Sequence, residues 1–169
     1  QWLVSPENPL VARVLVNRIW QRVYGDAIVR SPEDFGLQGK QPTHPELLDW
    51  LALELQESEW NLRHILRLML TSQTFMQQSN QRADLPEDPE NLWYARGPSY
   101  RLDAEVIRDM SLWSSGLLDD HMGGEGVKPY QPAGLWKALM HPGSNTKNYV
   151  ADKGSKAYRR SLYVYWKRT

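Results

Sequence analysis

Three observations predict a mainly α-helical protein, a compact bundle of about four main helices with a small β element near the C-terminus. Apolar residues recur at three-and-four spacing in four separate stretches. Helix-starting Asn, Ser or Thr residues precede most of these stretches, several with Pro just behind them. One late segment, Ser161 to Trp166, instead alternates apolar and amphipathic residues and is rich in β-formers.

Asn8-Pro9 predicts the first helix, Asn capping it and Pro filling a first turn where its missing N–H costs nothing. From Leu10 to Tyr24 the apolar residues cover more than half the circumference, so this helix is expected at the centre of the core, and Gly25 stops it. Residues 26 to 42 read as a long connection with one short helical turn at Ser31-Pro32-Glu33-Asp34. Thr43 and Glu46 form a capping-box pattern ahead of a second helix whose Leu47, Leu48, Leu51, Ala52 and Leu55 share a face. Asn61 caps a third helix, Leu62 to Leu70, which is expected to pair with the second as an antiparallel hairpin. Residues 77 to 99 form a connection with at most one helical turn near Asn91. Leu102, Val106, Met110, Trp113 and Leu117 then define the stripe of a fourth helix ending at Gly116. After Asp119 the sequence turns to loop chemistry, with one short helix at Leu135 to Met140. The strand-like tail needs a partner, and the segment around Val127 to Tyr130 is the expected one.

A composition 41% hydrophobic and 24% charged is that of a folded chain, and 169 residues suit one helical domain spanning 1–169. The start, Gln1-Trp2-Leu3, has neither an initiator Met nor a signal peptide, so a fragment of a larger multidomain chain is expected. No apolar run reaches membrane-span length. Basic and acidic residues both number 20, so no net field steers the whole molecule to nucleic acid. The distribution is uneven: Lys147 to Thr169 carries seven basic residues against Asp152 alone. With no cysteine there is no disulfide, thiolate metal site, thiol nucleophile or haem attachment motif.

No residue pattern fixes a reaction, and no catalytic signature is present. His44, at a helix start, is a candidate neutral base or ligand, but capping alone explains the residues around it. His64 has no second ligand at helical spacing and reads as a surface histidine. Asp119, Asp120 and His121 precede the GGEG loop and could hold a divalent ion, although the alternating spacing of a calcium loop is missing. Arg101, Asp103, Glu105, Arg108 and Asp109 interleave both signs as a solvated helix face does. In the tail, Arg159, Arg160, Tyr163, Tyr165 and Trp166 combine charge with aromatic rings, a mixture suited to an acidic polysaccharide or partner. A strand edge kept soluble by charge gives the same pattern.

Six ordered blocks, NPLVARVLVNRIWQRVYG, SPEDFGLQG, THPELLDWLA, RLDAEVIRDM, PYQPAGLW and YRRSLYVYWKRT, together resemble the planctomycete-specific C-terminal domain called domain of unknown function 1553. The resemblance implies a large exported chain, periplasmic or at the cell surface, that also carries a cytochrome c domain. It implies that haem is held outside this segment, that no cofactor belongs to this chain, and that the family domain continues past YWKRT. It supplies no catalytic residues. The expected function is therefore a non-catalytic helical interaction or packing module, partnered by other domains of the same polypeptide or by an exported protein. The alternative is a polysaccharide-active enzyme, with Asp34, Glu46 or Asp120 and His44 meeting in a cleft, or an acidic-glycan-binding domain.

Overall fold

A computed structural model describes residues 2–5, 7–80, 88–144 and 147–166. The chain divides into two compact units, Gln1–Tyr100 and Arg101–Thr169. Four helices of seven residues or more dominate: α1 (Val11–Tyr24), α2 (Pro45–Glu57), α3 (Leu62–Leu70) and α4 (Ala104–Ser114). A five-residue helix, α5 (Leu135–Leu139), and short 3-10 turns at Trp2–Val4, Gly154–Tyr158 and Ser161–Tyr163 complete the elements.

In the first unit α1 is central, as its apolar breadth predicts. Ala12, Val16, Trp20 and Tyr24 pack against Leu48, Leu51, Ala52 and Leu55 of α2 and Ile65 and Met69 of α3. The stop at Gly25 is doubly required: its φ is +88°, and a Cβ there would stand 2.6 Å from the Tyr100 ring. Tyr100 holds that position by donating its hydroxyl to the Arg22 carbonyl at 2.8 Å.

Tyr94 brings the next connection into the same core. Its ring lies edge-on to Trp20 at 5.1 Å and to Tyr24 at 5.7 Å, while Trp20 and Tyr24 stack at 4.0 Å. Burial pushes both the Tyr24 and Tyr94 phenols above their usual pKa. Two successive turns present Tyr94, and no helical turn forms at Asn91. The Asp88 carboxylate accepts the Leu92 and Trp93 N–H groups, which draws the local chain into turns. Residues 81 to 87 of this connection lie outside the described residues.

The loop between α1 and α2 crosses the core without a strand. Ala27, Ile28 and Val29 are buried there, so their peptide groups need partners. Asn17, fully buried on α1, supplies them: its Oδ1 accepts the Val29 N–H at 2.8 Å and its Nδ2 donates to the Val29 carbonyl at 3.0 Å. Ser31 to Asp34 make a single hydrogen-bonded turn, not a helical one, and Ser31 Oγ donates to the Asp34 carbonyl and accepts the Lys40 N–H.

Two predicted caps differ from the structure. Asn8 accepts the Leu10 N–H and closes the turn before α1, which begins one residue later than that bond reaches. Thr43 directs its N–H and hydroxyl to the Ile28 carbonyl, so the Thr43–Glu46 capping box does not form and His44 takes the N-cap position ahead of Pro45. The pull of the buried loop outweighs the local cap. Asn61 does cap α3, accepting the His64 N–H at 3.2 Å.

In the second unit α4 ends at Gly116, with φ +72°, where the sequence places its stop. The tail corrects the reading of Ser161 to Trp166 as a strand. Among the described residues there is no strand, only two isolated parallel bridges, Asp119 to Arg159 and Val127 to Val164. The expected partner segment is the one met, but in a single bridge: Val127 donates to the Tyr163 carbonyl and accepts from the Tyr165 N–H, each at 2.8 Å. A ladder does not form because Ser161–Tyr163 coils into a 3-10 turn, in which the Tyr163 and Val164 N–H groups bond the Arg160 and Ser161 carbonyls, and α4 holds the start of that turn. Asp109 accepts the Ser161 N–H at 2.8 Å, and Arg108 donates to the carbonyls of Ala157 and Arg159, both at 2.9 Å.

Replacing Asn17 by Ala should leave both Val29 peptide groups buried and unpaired, at a cost of about 2 kcal/mol or more in urea unfolding. Thr43→Ala, which removes a 3.4 Å bond to the Ile28 carbonyl and a half-exposed bond to the His44 ring but no cap and leaves no buried peptide group unpaired, should cost less than half of that. Equal losses for the two variants would contradict this assignment.

Candidate functional site

The second unit gathers two of the sequence's candidate groups around Arg159. Its side chain is buried, 5% exposed, beneath the loop from Asp119 to Gly126. One terminal nitrogen donates to the Glu125 carbonyl at 2.9 Å, and the other to the carbonyls of His121, at 3.0 Å, and Gly123. The guanidinium lies 4.0 Å from the Tyr163 ring centre. The Tyr163 hydroxyl accepts the Gly123 N–H at 2.7 Å. Arg159 Nε is buried without a hydrogen-bond partner, so the charge rests on carbonyl dipoles and a ring face.

The loop can wrap this cation because Gly123 and Gly124 hold φ of +85° and +83°, which lets the alternate carbonyls of His121, Gly123 and Glu125 face inward. Asp119 adds its own closure, accepting the His121 N–H at 3.1 Å. At the rim Lys156 and Glu125 pair at 2.6 Å. That hydrogen bond holds the Glu125 carboxyl below its usual range and raises the Lys156 ammonium.

These contacts engage several of the grouped side chains. Arg159 and Tyr163 are occupied in holding the loop, and the His121 main chain faces the guanidinium while its residue is exposed. Among the described residues no group of three or more His, Cys, Asp or Glu side chains is arranged to hold a metal ion. Arg160 is half-buried, Tyr165 and Trp166 are exposed, and Lys167 and Arg168 lie outside the described residues. His44 belongs to the first unit. Its ring bonds the Thr43 hydroxyl at 3.0 Å and lies 5.4 Å from Tyr94.

Two features went unread in the sequence. Arg108 looks like one of several charges on a solvated face, yet with Asp109 it clamps the tail, also donating to Ser161 Oγ at 3.1 Å. Trp136, Tyr149 and Tyr165 form a row, with centroids 5.0 and 6.1 Å apart, beside a hollow of ≈ 240 Å³ that Lys137 and Lys147 also line. Burial raises the Tyr149 phenol, whose hydroxyl donates to the Pro129 carbonyl at 2.6 Å. The block PYQPAGLW signals a loop, but the rings that complete the row come from distant positions.

The stripe of α4 forms on the helix that the spacing predicts, but it lies uncovered. Leu102, Val106, Met110, Trp113 and Leu117 are all exposed, Trp113 at 75%, and no residue of α4 is buried. A helix with this pattern normally sinks the stripe into a core. Here α4 is held by its polar residues Arg108 and Asp109, and its apolar side is left in solvent.

Arg159→Lys should cost about 2 kcal/mol or more in urea unfolding, because an ammonium cannot reproduce the planar fork to three carbonyls. Arg160→Ala, which breaks no side-chain bond among the described residues, should stay within about 0.5 kcal/mol. A larger effect at Arg160 than at Arg159 would refute the loop-holding role.

No described helix is long and apolar enough to cross a membrane. No curated protein and no solved structure matches the chain. Residues 1–169 match, over their whole length, the family described as PSD1: Protein of unknown function (DUF1553). The chain therefore belongs to the DUF1553 family, whose function is unknown.

Proposed function

We propose that this chain is a non-catalytic packing module, which presents the apolar side of α4 to another folded domain of the same polypeptide. The observation that carries the reading is the row Val106, Met110 and Trp113, exposed at successive turns of one well-formed helix. A contiguous apolar patch of this kind on a folded protein is characteristic of an interaction surface. The polar residues of the same helix are already occupied by the tail, so the helix is fixed in place before any partner arrives. Such preorganisation lowers the entropy cost of docking. The resemblance of the six sequence blocks supports the wider setting: an exported chain with haem held in another domain.

A benzoylphenylalanine placed at Met110 of the full-length polypeptide should cross-link on irradiation to residues beyond this segment. Cross-links confined to residues 1–169 would overturn the reading. In the isolated chain, replacing Val106, Met110 and Trp113 together by Ser should change stability by no more than about 1 kcal/mol, since these side chains are already in solvent. A loss of several kcal/mol would show that they belong to the module's own core.

A further inference from the structure

The first unit carries a second surface that the α4 reading does not use. Each residue of a helix advances by about 100°. Along α3 this sets Ile65 and Met69 towards the core, where both are buried. Leu62, Leu66 and Leu70 then fall within about 80° of arc on the flank next to that buried face. They are 46%, 37% and 44% exposed. Arg63 and Arg67 occupy the adjoining strip, both exposed and neither with a carboxylate partner among the described residues. On the far side His64 is already paired, its Nε2 lying 3.0 Å from Glu54 on α2. Between these side chains lies a groove of ≈ 280 Å³ lined by Asn61, Arg63, His64 and Arg67.

We propose that this side of α3 docks an acidic amphipathic helix of a partner protein. The leucine row offers an apolar ridge of two turns, and the unpaired guanidiniums stand about 6 Å apart along the axis. A partner helix with leucines on one face and carboxylates at i and i+4 beside them matches both features together. Each guanidinium can take a carboxylate oxygen pair in its planar fork. The charge spacing favours this occupant over a bilayer, because carboxylates at i and i+4 of a helix repeat at the separation of Arg63 and Arg67, whereas mobile lipid headgroups hold no fixed spacing. The site lies in a different unit from α4, so its failure would leave the α4 reading standing, and the reverse.

The test uses chain 1–169 and a fluorescein-labelled, sixteen-residue helical peptide with leucines at i, i+4 and i+7 flanked by glutamates. Fluorescence anisotropy should show saturable binding that weakens with salt. The same peptide with its glutamates changed to lysines should bind at least tenfold more weakly. Arg63→Glu with Arg67→Glu should reverse that preference, and a thermal melt within a few degrees of the parent would show that the variant is folded. Leu66→Ser should weaken the acidic peptide without altering which charge is preferred. Equal binding of the two peptides, or an unchanged preference in the double variant, would overturn the proposal. Two further results would also overturn it. One is tighter association with vesicles containing 30 mol% phosphatidylglycerol than with the peptide; the other is dimerisation of the chain abolished by the same double variant.

Discussion

Val29 sits in the core on a segment that belongs to no helix or sheet, and its peptide group has to be paired there. The Asn17 side chain meets this constraint because an amide is chemically a second peptide group, offering one acceptor and donors in the same plane. The pairing imitates one step of a β-ladder with a side chain in place of a strand. Once Val29 is fixed, Ile28 can receive Thr43, which sets where α2 starts, and α2 in turn closes over α1. The packing of the first unit follows from that one buried contact.

The second unit solves the same problem with charge. Arg159 gathers three carbonyls of the Asp119 to Gly126 loop, while Arg108 and Asp109 of α4 satisfy backbone groups in the tail. Guanidiniums suit this work, since each presents several donors in a fixed plane. Using side chains to bind backbone has a consequence for the surface. A helix fixed through its polar residues need not bury its apolar ones, so α4 keeps Val106, Met110 and Trp113 in solvent. Fold and proposed function meet at that point.

Features that depend on a few neighbouring residues were legible in the sequence. The bounds of α3, its Asn61 cap and the stops at Gly25 and Gly116 are local, and each stands where the pattern puts it. The Thr43–Glu46 box has an equally good local pattern but fails, because a buried carbonyl fifteen residues earlier takes Thr43. The tail alternates as a strand should, yet its start winds into a 3-10 turn that a distant helix anchors at the Ser161 N–H. Periodicity identified the α4 stripe but could not say whether anything covers it. For the candidate site, composition singled out the Asp119 to His121 loop and Arg159 separately. Their meeting, like that of Trp136 with Tyr149 and Tyr165, depends on tertiary contacts that no spacing encodes.

Amide hydrogen exchange on the chain tests most directly whether side-chain clamps hold the loops as firmly as a sheet would. The Val29 and Ser161 amides, bonded to Asn17 and Asp109, should exchange as slowly as amides inside the adjoining helices, α1 and α4. Exchange of Val29 at the rate of an unprotected loop, while α1 stays protected, would contradict the account.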